Sequence, residues 1–226
     1  MEAEKFKKWF MWRAKTDNVD SANRNILFFK QAMQHACKMG VIKTYELVIY
    51  KGEKDKVKPP VFLTVQDLTI LEQQSFQNIM LIQIKDLFLF QCYTGLSFGD
   101  IWSKWKVKEV ESGKVLTGER AKNNQPFFIP MDQRAVDILE RYNFNLPRYC
   151  NEVYNRILKE IAALCGINKR LTSHVGRKTF ATLKDSEGWS RETVASMLGH
   201  RSVKTTEIHY LGQSTTRIEN EMKKRS

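Results

Sequence analysis

Between Thr172 and Leu211 the chain gathers three of its four histidines, an arginine at helical spacing from the first of them, and one tyrosine. The segment reads TSHVGRKTFATL and then, after Ser186, EGWSRETVASMLGHRSVKTTEIHYL. His174 and Arg177 stand at i and i+3 at the start of an expected helix, so both side chains project from one face. A guanidinium is a planar, permanently charged fork of donors suited to phosphate oxygens, and an imidazole exchanges a proton near neutrality. Gly199 suits the end of a helix opened by Ser190, and His200 follows it directly. Tyr210 closes the series and is the sole tyrosine after Tyr154.

Further candidates lie upstream. FQCYTGLSFGDI (Phe90 to Ile101) carries Ser97 and Asp100, and RAKNNQPFFIP places Arg120 two residues before Lys122. The elements that must position these residues follow from periodicity. Asn23 to Met39 sets Ile26, Phe29, Met33, Ala36 and Cys37 on one helical stripe, with Gly40 as C-cap and His35 on the surface or at its boundary. Residues 50–60 are mostly charged and end in two prolines, the composition of a linker. Thr64 and Asp67 make a capping box for a helix carrying Leu68, Leu71 and Phe76 inward. Ile79 to Leu96 is apolar on nearly every side, as a central buried helix would be. From Ser103 to Met131 the pattern alternates, predicting three short antiparallel strands with turns at Ser112-Gly113 and Asn123-Asn124. Ala135–Tyr142, Tyr149–Cys165, Lys178–Glu187 and Arg191–Leu198 return to helical spacing. The expected fold is therefore mainly α with a small three-stranded antiparallel sheet.

Composition narrows the partners. A net charge of +12 over 226 residues favours a polyanion, because clustered Lys and Arg displace counterions from phosphates. No apolar run of about 18 residues would span a bilayer, and MEAEKFKKWF lacks the apolar core of a signal peptide, so no membrane partner and a cytoplasmic location are expected. Cys37, Cys92, Cys150 and Cys165 form no metal-ligand or disulfide pattern and are read as reduced, mostly buried thiols.

The ordered set of His-x-x-Arg, Leu-Gly-His, Thr-Thr and Tyr resembles the C-terminal active-site region of the tyrosine recombinases, the phage integrase family. The likeness extends to Phe90–Ile101, similar to the family's T-G-L-R-x-x-D/E element, but Ser97 stands where that element has its first phosphate-binding arginine. The same departure occurs among integrases of the type carried by Bacteroidetes mobile elements, which this chain resembles. The resemblance implies a second arginine supplied from elsewhere, with Arg120 as candidate. It implies Lys122 as the acid for the 5'-oxygen leaving group, although turn lysines are also common as solvated surface residues. His174 is implied as general base or phosphate donor, Arg177 as the bidentate phosphate clamp, and His200 as a phosphate donor. Asp100 is implied as a partner holding a cation or histidine, with a plain helix-surface carboxylate as the alternative.

Tyr210 is the implied nucleophile, one residue later than the family's usual ninth position after His200, where His209 stands. A one-residue slip turns a helical side chain by ~100°. Three explanations are open: a local bulge absorbs the residue, His209 replaces a lost tyrosine, or the protein no longer cuts. The intact Thr205-Thr206-Glu207-Ile208 approach favours the first. By resemblance, residues 1–49 are part of a helical, SAM-like core-binding domain, 50–60 a linker and 61–226 the catalytic domain. Longer relatives of this kind close a clamp around DNA, so the chain is expected to be part of such an arrangement or a decayed relative of it. The implied activity is site-specific DNA recombination through a 3'-phosphotyrosyl intermediate, without cofactor or metal. Implied partners are double-stranded DNA, further copies forming a tetramer on paired sites, and accessory DNA-bending proteins. Two rivals are a non-catalytic DNA-binding relative and a type IB topoisomerase-like enzyme that relaxes DNA.

Overall fold

The computed structural model describes residues 3–14, 19–43 and 60–200. The chain divides into two compact units, Met1–Lys58 and Pro59–Ser226. The expected linker, apart from Pro60, lies outside the described residues.

In the first unit, α1 (Ala3–Ala14) packs on α2 (Val19–Lys38). The Phe6 ring stacks on Phe29 at 5.3 Å between centroids. Ile26 is fully buried, while Phe29 at the next position of the expected stripe stays 39% exposed. Beyond α2, Gly40 turns left-handed at φ +73° and the Val41 amide donates to the Ala36 carbonyl at 3.0 Å. This satisfies a carbonyl that the helix alone would leave open.

The second unit is built around one apolar helix. Its elements in order are α3 (Val65–Gln73), α4 (Ile79–Thr94), a 3-10 turn (Gly99–Trp102), β1 (Trp105–Val110), β2 (Gly113–Glu119), β3 (Pro126–Pro130), α5 (Gln133–Arg141), α6 (Asn151–Leu164), α7 (Ser173–Ser186) and α8 (Arg191–Leu198). Because α4 is apolar all round it must be covered on all sides, and α3, α5, α6 and α7 pack against it. Leu87, Phe88 and Phe90 of α4 lie in one core with Tyr154 and Phe180. The capping box forms as expected, Thr64 and Asp67 exchanging bonds of 2.8 and 3.2 Å. α3 stops at Gln73, so Phe76 reaches the core edge from the following loop rather than from the helix.

The sheet is antiparallel in the order β1-β2-β3. Trp105, Val107, Leu116, Phe127 and Ile129 turn to the core, leaving the rung Lys106, Thr117 and Phe128 on the other face. Among the cysteines only Cys92 is buried; Cys150 is exposed and Cys37 and Cys165 are half-buried, which corrects the expectation of mostly buried thiols. Cysteine is tolerated at these outer positions because a reduced thiol is a small, weakly polar group. Among the described residues no helix is long and apolar enough to cross a membrane.

α4 ends at Gly95, with φ +64° and an amide donating to the Gln91 carbonyl at 2.8 Å. A Cβ there would lie 2.5 Å from Cδ1 of Phe180. Gly95→Ala combines left-handed strain with overpacking and should cost roughly 2–4 kcal/mol. An unchanged urea midpoint for this variant would show that α7 has room to retreat.

Candidate active site

The site begins with the end of a helix. The last carbonyls of α8 have no partner within the helix, and a Schellman turn answers two of them. Gly199, at φ +66°, donates to Ser196, and His200 donates to Ala195, both at 2.9 Å. The next two carbonyls are taken by arginines from distant parts of the chain. Arg120 Nη2 donates to Met197 O and Arg177 Nη2 to Leu198 O. A helix C-terminus carries partial negative charge, which stabilises two cations held side by side. Gly199 also leaves room for them, since a Cβ would sit 3.1 Å from Arg120 Cγ.

Arg177 projects from the second turn of α7 and is 7% exposed. Its Nη1 donates to the Gly95 carbonyl at 2.8 Å, and Nη2 lies 3.1 Å from His200 Nε2. A guanidinium can only donate, so His200 Nε2 accepts here and the ring proton resides on Nδ1. His174 is exposed one helical step before Arg177, on the same side of α7 by spacing.

Arg120 follows β2 directly and is 4% exposed. Its Nη1 meets Asp100 Oδ2 at 3.0 Å, and its guanidinium carbon lies 4.3 Å from the centre of the Phe127 ring. Phe127 can cross the strand beneath it because Gly118 opposite has no side chain; a Cβ there would be 2.9 Å from the ring. Asp100 Oδ2 also receives the Ser97 hydroxyl at 2.7 Å, and Oδ1 receives the Ala121 amide at 2.8 Å. Burial pushes the Asp100 carboxyl up, but the Ala121 amide, the Ser97 hydroxyl and the Arg120 charge outweigh it and hold the group below the usual carboxylate range. Asp100 is thus a buried tie between the 3-10 turn and the hairpin, not a helix-surface carboxylate.

Lys122 stands in the β2–β3 turn as expected and is exposed. Arg120 closes that turn, its amide donating to Gln125 O at 2.8 Å and its carbonyl accepting from Asn124 at 2.9 Å, with Asn124 left-handed at φ +52°. The structure therefore brings Arg120, Arg177, His200, Ser97 and Asp100 into one connected group, and sets Lys122 on an exposed turn beginning at Arg120. Tyr210 and His209 lie outside the described residues.

Two supporting residues escaped the reading of the sequence. Gln91 is fully buried in α4, donating to Leu96 O at 3.0 Å and accepting from the Tyr154 hydroxyl at 2.7 Å. Gly176 comes close against it, a Cβ there lying 3.0 Å from Gln91 Cβ. Together they hold the loop whose Gly95 carbonyl receives Arg177. The available signal was a glutamine in an apolar helix, because a buried amide needs partners.

The second unit is thus a set of helices around a small sheet, with two arginines and a histidine collected at one helix end. The phage integrase family model matches residues 62–217, and the chain belongs to that family. The tyrosine recombinase XerC of Thermodesulfovibrio yellowstonii is 23% identical over 193 residues, covering 75% of this chain and 64% of that protein. XerD of Listeria monocytogenes is 30% identical over 108 residues, 39% of this chain and 36% of that one. The chain spans less than two thirds of the length of these relatives. Among solved structures, a lambda integrase dimer bound to a COC' core site aligns with a TM-score of 0.72 at 15% identity, covering 92% of this chain and 78% of that one. The Tn1549 transposon integrase in complex with a circular intermediate DNA aligns at 0.67 and 15% identity, covering 100% and 85%. These likenesses show the fold.

Asp100→Asn should test the tie. It leaves the buried Arg120 without its counter-charge and should cost about 3–5 kcal/mol at neutral pH. Because the folded Asp100 has a depressed pKa, its stabilisation is complete above the unfolded carboxyl value of ~3.9 and is lost as pH falls through the folded one. The parent protein should thus lose more stability than Asp100→Asn between pH ~5 and ~2 in urea titrations. Parallel acid limbs would remove Asp100 from this role.

Proposed function

We propose that the protein is a site-specific DNA recombinase that cuts and rejoins strands through a tyrosine. The observation that carries the reading is the pairing of Arg120 and Arg177 at the end of α8, beside His200 and next to the serine that stands where an arginine is expected. Ser97 cannot neutralise a phosphate, and its hydroxyl shares Asp100 Oδ2 with Arg120. The cation therefore comes from the hairpin instead. A cation from elsewhere is what the resemblance to integrases of Bacteroidetes mobile elements, based on Ser97, implies.

In this reading the two guanidinium forks hold the non-bridging oxygens of the scissile phosphate and stabilise the extra charge of its pentavalent transition state. Tyr210 Oη attacks phosphorus as its proton passes to His174. The bond to the 5'-oxygen breaks, and Lys122 protonates that oxygen. His200 takes up a proton at Nε2 from solvent, gives up its contact with Arg177 and donates to a phosphate oxygen. The products are a 3'-phosphotyrosyl link and a free 5'-hydroxyl, which then attacks the link on the partner strand. The phosphoester bond energy is kept in the intermediate, so the reaction needs no ATP. The fold likeness to a lambda integrase dimer on its core site and to XerH bound to a palindromic difH substrate in a post-cleavage complex supports double-stranded DNA as substrate. Assembly to a tetramer on paired sites, accessory DNA-bending proteins, a cytoplasmic, nucleoid-associated location and a core-binding role for the first unit belong to the same proposal.

The slipped register between His200 and Tyr210 favours one rival, a DNA-binding relative that no longer cuts. Nicked duplex carrying the target site separates the two. The parent protein should form an adduct that survives denaturing electrophoresis, Tyr210→Phe should form none, and His209→Ala should retain it. An adduct with Tyr210→Phe would overturn the assignment, and none with the parent protein would favour the rival. Arg120→Ala should slow cleavage at least tenfold while changing DNA affinity much less, as expected for a contact strongest in the transition state.

A further inference from the structure

The outer face of the sheet is left unused by the chemistry above. Lys106 and Lys108 alternate along β1, and Lys104 continues their row just before it, so all three are exposed on the face opposite Trp105 and Val107. Phe128, on the same rung as Lys106, is 54% exposed, while Val115 beside Lys108 is buried. A groove of about 520 Å³ runs along this row to the hairpin and is lined by Lys104, Lys106, Lys108, Thr117, Glu119 and Arg120, ending at Ala121 and Asn124 beside Lys122.

Charge in this groove is unbalanced. Glu119 is its one carboxylate against three lysines, and Arg120 is already matched by Asp100. Among the described residues none of the three lysines joins an ion pair. A row of like charges is unfavourable by itself and gains most from a polyanion that releases its counterions on contact. Strand geometry sets Lys106 and Lys108 ~6.7 Å apart, the reach of about two phosphates of one DNA strand at 3.4 Å of axis each. Lys104 extends the row from the bend before β1. The opposite face of the sheet is anchored in the core, so the row is held straight instead of relying on a flexible loop.

We propose that Lys104, Lys106 and Lys108 form a phosphate track that carries the backbone of the duplex flanking the cleaved bond, away from the active site. The proposal rests on the strand-transfer reading for the DNA it names. The track sets how far along the duplex the protein reaches, and leaves the rate of the chemical step alone.

The experiment compares the full chain with the triple variant Lys104→Gln, Lys106→Gln, Lys108→Gln and with the single reversal Lys106→Glu. Binding is followed by fluorescence anisotropy over a salt series, on a long site-containing duplex and on one trimmed close to the nick on both sides. On the long duplex the triple variant should flatten the log–log salt slope by about 2.7, or 0.9 for each of three lost contacts. Lys106→Glu should weaken binding at least as much as any single neutralisation. On the trimmed duplex the triple variant and the parent protein should bind alike and form covalent adduct at the same rate. An unchanged slope on the long duplex overturns the track, as does an equal loss on both duplexes, which would place the lysines at the scissile phosphate. If the face instead docks an acidic protein surface or a second copy, DNA slopes do not change, and the track is likewise overturned. Failure of the parent protein to form adduct would strike the strand-transfer reading alone, because the salt slopes are read from binding and not from cleavage. Circular dichroism melting curves confirm that each variant is folded.

Discussion

Four carbonyls at the C-terminal end of α8 set the arrangement of the site. A helix cannot satisfy them itself, and burying them open would cost more than most side-chain contacts return. The Schellman turn at Gly199 and His200 answers two, and the arginines that answer the others come from a hairpin and from a helix N-terminus. One requirement of backbone hydrogen bonding therefore fixes where two cations meet. It also fixes the place of His200, whose backbone amide is spent on the cap while its ring reaches Arg177.

Two buried guanidinium groups so close together would repel, and the structure offsets this in different ways. Arg120 has a carboxylate at 3.0 Å and an aromatic face at 4.3 Å, and both stabilise a cation in surroundings that exclude water. Arg177 has backbone carbonyls and a neutral imidazole nitrogen among its partners. In the proposed reading the pair serves to hold a phosphodiester, and among the described residues Asp100 is the carboxylate set against Arg120. Rigidity serves the same end, since a site that already holds its donors does not have to order them when charge develops.

The remainder of the second unit exists to hold these pieces in register. Gln91 and Tyr154 hydrogen-bond inside an otherwise apolar core, and they tie α4 to α6 at the level of the loop that receives Arg177. Buried polar pairs of this kind are satisfied in one arrangement and costly in others. Gly118 and Gly199 contribute by absence, each giving up a side chain so that Phe127 or Arg120 can come close. The outer face of the sheet, whose inner face is bound to the core, is free to carry charge.

Much of this was legible in the sequence, because helical and alternating periodicities reflect which side of an element meets the core. The capping box at Thr64 and Asp67, the buried helix after Ile79, the three strands, and the glycines ending α2 and α8 are local events that depend on a few neighbouring residues, although the buried helix stops at Thr94 and not at Leu96. The ordered His, Arg, Gly-His and Tyr series was equally readable, since it needs only residue types and spacing. Local patterns were less reliable at boundaries: α3 stops before Phe76, and two cysteines read as buried are only half so. What tertiary structure alone decided was which distant groups meet. Asp100 could have been a surface carboxylate by its sequence, and becomes the tie for Arg120 because the 3-10 turn and the hairpin are brought together by packing on α4. Nothing in the spacing of Arg120, Met197, Arg177 and Leu198 announces that two side chains will share one helix end. That pairing is a long-range hydrogen-bond requirement, satisfied only once the core has folded around it.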